Sequence, residues 1–492
     1  MIRVPIPLVA AALALAAVGA TAAATEPSGR PSNSLPVVAG GGSGGVLRAS
    51  VVCPNLKIVP GTTATTVAVA TANPGAGSVT LTSAAGTKRD AVTLLGGGKP
   101  LELYAGPLTG PLELRATGPL ANSLVAEQAA RANKTDDRGW TEARCEPPRA
   151  EQWFVGSATT PGNTPNLELA NPTDTNAVTD VTVFTPDGIS ATNAGHNLSL
   201  PPHTVLNLDL TKLAPNATTT AVRVSTTNGR VSAAILDVRT NGLNLNGTDW
   251  VPVATTGVSQ VITGIPGPVA GATPTATLAI ADPGDTDATV SVKVIGPTGT
   301  FVPVGLEAIA VAANTVKTVD LTPALAASPG GVIVTSDDPT VPIVSSVLVD
   351  VPSAKGTPIH EITYLGPDTA LSGAAIAPLF FPNPDVDNVL VLSAPDDPVS
   401  VTLVVTSAAG VTQRTRIAVQ PGTTRALSLL NAGAGDNTTT TLIPDADSPP
   451  LYAVRLITEN GALGPLISAF ALTGAPAEQH IPPVVAEPLA RN

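Results

Sequence analysis

Aromatic side chains are scarce in this 492-residue chain, where Phe, Trp and Tyr together make up 2%. A stacking platform for bases or for long polysaccharide is therefore poorly supported. Histidine is as rare. His196, His203, His360 and His480 are the full set, and none has a second His, Cys or carboxylate at metal-ligand spacing. Charged residues are only 13% and the net charge is −12. That balance lacks the Lys/Arg stripes that phosphate contacts need, so nucleic acid is excluded as a partner. The same sign disfavours an anionic membrane surface. The chain is nonetheless not of the disordered class, because hydrophobic residues reach 43%.

Catalytic motifs are missing too. There is no C-x-x-C, H-E-x-x-H or G-x-x-x-x-G-K-[ST]. Gly40-Gly-Gly-Ser-Gly-Gly45 is glycine-rich but lies in a spacer, where it reads as a linker and not a phosphate loop. No catalytic residue, cofactor site or cofactor is assigned, and the chain is expected not to be an enzyme. Acidic turns at Asp282/Asp285/Asp287, Asp385/Asp387 and Asp445/Asp447 offer oxygens to calcium. None has EF-hand spacing with a closing Glu, so they read as solvated turns and no metal ligand is assigned. A hydrolase whose carboxylates converge only in three dimensions is the remote alternative.

Residues 1–24 read as a secretory signal: Arg3, an apolar run at 8–18, then A-x-A cleavage sites at Ala20-Thr-Ala22 and Ala22-Ala-Ala24. An uncleaved N-terminal anchor is the alternative, and the only membrane attachment envisaged. No later apolar run is long enough to span. Cys53 and Cys145 are the only cysteines, and one disulfide is the simplest reading in an exported chain. It would close a loop worth roughly 4–5 kcal/mol on the chain-entropy model. Free thiols or a metal site are the alternatives.

What the chain has in abundance is Gly (45), Pro (49) and alternating Val/Thr/Leu segments. A strand ending in a proline turn recurs four times. It reads Val67-Ala-Val-Ala-Thr-Ala-Asn73-Pro74, Leu167-Glu-Leu-Ala-Asn171-Pro172, Leu278-Ala-Ile-Ala-Asp282-Pro283 and Val389-Leu-Val-Leu-Ser-Ala-Pro395. Each is followed by a second alternating strand and a glycine turn. Leu200-Pro-Pro-His203-Thr-Val matches Val311-Ala-Ala-Asn314-Thr-Val. Period-2 alternation between turn residues is the signature of a β-sandwich. The expected fold is all-β, with three to four tandem immunoglobulin-like sandwich repeats of roughly seven strands each. The expected domains are a signal (1–24), a spacer (25–48), repeats at 49–149, 150–258, 259–368 and 369–474, and a Pro-rich tail (475–492). Residues 133–149, 241–271 and 352–377 break the pattern and read as connectors.

Three elements occur in order: Val52-Cys53-Pro54, then Cys145-Glu-Pro-Pro with Gln152-Trp153-Phe154-Val155-Gly156, then Leu167-Glu-Leu-Ala-Asn-Pro172. With the signal, the arrangement resembles an uncharacterised actinobacterial family of exported proteins designated DUF5719. The resemblance implies an extracellular or envelope location and supplies no activity or site residues.

The functional expectation is a secreted or cell-envelope protein acting as scaffold, spacer or adhesion-type binding module. Its partner would be an envelope protein or, in a second reading, cell-wall glycan. Trp140, Trp153 and Trp250 lie in or beside the connectors and are the candidate ligand contacts; packing at a domain junction is their alternative role.

Overall fold

The computed structural model describes residues 48–474 apart from 56–63, 72–73, 86–88, 97–100, 106–109, 134–137, 354–358, 379–385, 408 and 430–437, together with strand pieces Gly42–Gly44 and Gln479–Ile481. The expected signal, most of the spacer and most of the tail lie outside these residues. The two strand pieces pair antiparallel within one unit, and Gly45–Glu478 forms a second, compact one. All that follows concerns the second.

This unit is four β-sandwiches, at 48–144, 151–251, 259–365 and 375–472. Each has eight strand positions in two antiparallel sheets, ordered first-sixth-third-fourth and fifth-second-seventh-eighth. In repeat 2 the order along the chain is Glu151–Val155, Asn166–Asn171, Ala177–Thr185, a split fourth strand (Gly188–Ile189 and Leu198–Leu200), Thr204–Asp209, Ala221–Asn228, Ser232–Asn241 and Asn244–Val251. The alternation in the sequence explains the layering. Val181 and Val183 turn inward onto Leu167, Leu169, Val222, Val224 and Ile235, whereas the alternating Asp180 and Thr182 stay half-exposed. The second–fifth and third–sixth pairs are those of an immunoglobulin sandwich (B–E and C–F). The first strand, however, lies beside the sixth and the seventh beside the second, exchanging the places that domain gives its last and first strands. The sandwich class is as expected, with its own strand order.

The repeats hold one strand more than the expected seven. The supposed connectors carry Arg138–Arg144, Asn244–Val251 and His360–Leu365, the eighth strands of repeats 1 to 3, and the first strands Ser259–Ile265 and Ala375–Ala377. The eighth strands were hidden because they carry polar residues and, in two of the three, glycine, as in Asn244-Leu-Asn-Gly-Thr-Asp249; the reason for that composition is their place at the centre of the molecule.

Turn chemistry accounts for the His203/Asn314 match. Both residues take positive φ (53° and 59°) before the fifth strand, as Gly422 does at 66° in repeat 4. His203 Nε2 bonds Asp174 at 2.9 Å, and Asn314 reaches Asp285 at 3.4 Å. Cys53 and Cys145 form a disulfide joining the end of the first strand to the residue past the eighth. No helix among the described residues is long and apolar enough to cross a membrane. The disulfide is compatible with an extracytoplasmic protein.

The four sandwiches do not hang as beads on a string. The core of each is completed by the next: repeat 1 takes in Leu236 and Trp250 of repeat 2, and repeat 2 takes in Ile362 and Tyr364 of repeat 3. Repeat 3 takes in Val391, Val454, Leu456 and Ile467 of repeat 4. Repeat 4 takes in Ala70 and Val125 of repeat 1. One head-to-tail contact, made four times, thus closes into a ring. The end of the Gln-Trp-Phe-Val-Gly element lies at this contact. Within its own repeat Gln152 bonds to Val231 and Ala233 at the seventh strand, and Gln260 of repeat 3 bonds in the same way to Ile343 and Ser345. The glycines four residues on, Gly156 (φ 105°) and Gly264 (φ 84°), touch the next repeat. A Cβ on Gly156 would lie 2.9 Å from Ser346 Oγ, and one on Gly264 would lie 2.7 Å from Val454 Cγ1. Gly264→Ala is accordingly expected to cost about 2 kcal/mol or more, from positive φ and overpacking together. Urea unfolding checks this; an unchanged midpoint would mean that the junction is looser than described.

Candidate functional site

Ring closure brings the four eighth strands together at the axis: Arg138–Arg144, Asn244–Val251, His360–Leu365 and Gly464–Leu472 each pack on the next, and the last on the first. Where the strands approach closely a glycine is placed: Gly247 lies against Ile362, and Gly139 faces the Glu361 carboxyl. They also carry ionisable groups into the interior, and these groups link the repeats in layers.

In one layer Glu361 of repeat 3 accepts the Thr248 N–H of repeat 2 at 3.2 Å. Arg138 of repeat 1 donates to the carbonyls of Gly464 and Pro465 in repeat 4 and offsets part of the Glu361 charge. Burial still pushes Glu361 up to about 8. In the next layer Glu142 N–H of repeat 1 donates to Ser468 Oγ of repeat 4 at 2.8 Å. Ser468 in turn donates to the carboxyl of Asp249 in repeat 2 at 3.2 Å, and burial drives Asp249 well above the usual carboxylate range. At the junction of repeats 4 and 1, Arg455 is fully enclosed and bonds Glu127 and Glu142, the latter at 2.6 Å. Beside it Glu459 takes both Arg131 and the indole N–H of Trp140, the latter at 2.5 Å. At the junction of repeats 1 and 2, Glu168 accepts the Asn55 N–H at 3.0 Å and burial raises it to about 7.

Past the layers lies a cavity of about 190 Å³ with walls from all four repeats. Phe154, Trp250, Tyr364 and Phe470 supply its aromatic surface, and Arg144, Glu142 and Asp368 are among its polar groups. Asp368 accepts both the N–H (2.8 Å) and the hydroxyl (2.5 Å) of Thr263, and burial raises it to about 7. A larger groove of about 650 Å³ runs between repeats 3 and 4. It has no aromatic wall, and its two carboxylates are engaged, Asp387 by Ser428 and Glu459 as above. The axial cavity is therefore the candidate site.

The three candidate tryptophans are all buried at junctions and none is an exposed platform: Trp140 (3% exposed) between repeats 1 and 4, Trp153 (2%) between 2 and 3, Trp250 (5%) between 1 and 2. Only Trp250 lines the cavity. Trp153 packs on Phe184 at 5.3 Å between centroids. The acidic turns bond neighbouring protein groups: Asp282 accepts from Gly284 of its own loop, Asp287 from Ala313 of a facing turn, and Asp445 pairs with Arg416 of the fourth strand. Asp385 lies outside the described residues. His196, His203 and His360 each face one aspartate, and the side chain of His480 is not among those described. The axial residues went unassigned in the sequence, although a signal existed: a lone charge in an apolar strand, such as Arg455 in Tyr-Ala-Val-Arg-Leu-Ile457.

Fold and site together define a closed ring of four tandem β-sandwiches with a polar, occluded axis. The chain belongs to the family of unknown function DUF5719, whose profile matches residues 104–430. The match takes in the Gln-Trp-Phe-Val-Gly element and leaves out Cys53. Among solved structures, one described as the tetra-tandem repeat in the extending region of a large adhesion protein aligns over 89% of this chain and all of that one. Identity is 13% and the TM-score 0.10, too low to support an inference. No curated protein matches.

Proposed function

We propose that this is a non-enzymatic, extracytoplasmic binding module built on a rigid scaffold. The observation that carries the reading is the closure of four sandwiches into one ring. A ring has no free ends to extend, so of the roles open to tandem repeats the scaffold or adhesion-type module fits and the spacer does not. The buried ionisable groups bridge repeats, as groups that fix an assembly do. An envelope protein or the cell-wall glycan is the partner in this reading, with no nucleic acid involved.

The test is co-sedimentation of the secreted chain (residues 25–492) with washed cell-wall sacculi, alongside cross-linking in the intact envelope. Saturable, salt-resistant pelleting identifies wall glycan, and a clean supernatant with one cross-linked protein identifies a protein partner. Neither partner, or turnover of a wall substrate by the pure protein, would overturn the proposal.

A further inference from the structure

We propose that the axial cavity binds one small ring-bearing carboxylate, its anionic end on Arg144 and its ring against Trp250, Phe154 and Phe470. This deepens the binding-module reading and rests on it. The size fits: about 190 Å³ exceeds the void of about 150 Å³ that admits benzene in an engineered protein core.

The lining fits as well. The whole chain has 3 Trp, 3 Tyr and 6 Phe, and four of these aromatics meet here. Rings held by three different sandwiches give a hydrophobic slot that costs little to organise once the ring has closed.

Charge sets the ligand's sign. Of the acidic groups on the wall, Glu142 is paired with Arg455, Asp368 with Thr263, and Glu146 with Arg149 at 2.9 Å. The Arg144 guanidinium is less well matched. Its nearest carboxylate oxygen, on Glu146, is 3.6 Å away, and its bond to the Ala471 carbonyl is 3.5 Å long. It lies 5.9 Å from the Phe470 ring centre with its side chain 22% exposed. A partly desolvated guanidinium with donors to spare, beside an aromatic face, favours a planar carboxylate over a neutral or cationic ligand.

The experiment is isothermal titration of the secreted chain with benzoate, with glucuronate, and with benzamide as the neutral counterpart. Benzoate and glucuronate separate an aromatic from a sugar ligand, and saturable one-to-one binding of either supports the site. Benzamide is expected to bind at least tenfold more weakly than benzoate. Arg144→Gln should weaken carboxylate binding tenfold or more while leaving the melting temperature near native. Should that variant fail to fold, the benzoate–benzamide comparison on the native chain still decides. Failure of both acids to saturate, or benzamide binding as tightly as the acids, overturns the proposal. Sacculus pelleting that persists in that case would leave the binding-module reading standing and move its contact surface elsewhere.

Discussion

Raising the pH from about 5 to about 8.5 is expected to destabilise the ring, by several kcal/mol in all. Burial raises Glu361 from 4.5 to about 8, and Asp368 and Glu168 to about 7; Glu142 and Asp249 move the same way. A carboxyl raised on folding holds its proton in the folded chain over a pH range where the unfolded chain has lost it. The folded state therefore binds more protons, and stability falls as pH climbs from the ordinary carboxylate value through the raised one. Each pH unit of such a shift corresponds to about 1.4 kcal/mol, so even a partial contribution from these groups outweighs most single surface contacts. Urea midpoints measured across the range should decline, and Glu361→Gln should flatten the slope. A midpoint that holds steady or rises between about pH 5 and 8.5 would contradict the burial described for the axis.

Arg455→Met is expected to cost about 3–5 kcal/mol, because it strands Glu127 and Glu142 in a dry junction. Replacing all three with apolar residues of similar size should recover most of that loss, since a buried ion group is expensive to assemble and more expensive to break. The junction between repeats 4 and 1 differs from the other three in having no connector across it. Repeats 1 to 2, 2 to 3 and 3 to 4 follow one another within a few residues, at 144–151, 251–259 and 365–375. Contact alone holds repeat 4 to repeat 1, and there the charged groups concentrate: Arg455 with Glu127 and Glu142, Arg131 and Trp140 with Glu459. Chemical unfolding of the single and triple variants checks the energetics. A single variant as stable as the native chain would mean that water reaches the network.

How much of this could be read from the sequence depends on what each residue's neighbours are. Strands whose two faces meet one core and one solvent alternate visibly, and Ala177–Thr185 or Ala288–Ile295 stand out for that reason. Turn positions such as His203 and Asn314 could be paired because backbone geometry restricts the residues there. The disulfide needed only two cysteines in a chain expected to be exported. Arrangement in space was another matter. Strands such as Arg138–Arg144 and Asn244–Val251 face other repeats, so their residues answer to distant partners and resemble connector sequence. Glu127 and Arg455 are 328 positions apart and mean nothing singly. Nothing in the sequence marks Gly156 and Gly264 as contact points; Ser346 and Val454 lie against them only in the folded chain. The site lies on the axis, built from the residues whose pattern was least regular.

The central claim is closure, and small-angle X-ray scattering from Gly45–Glu478 tests it most directly. A ring with completed cores should give a radius of gyration near about 22 Å, the value for a compact chain of this length. A string of four separate sandwiches would give about 40 Å or more and a long tail in the distance distribution. The first result is the one expected here. The second would mean that repeat 4 does not meet repeat 1, and the axial cavity would then not exist.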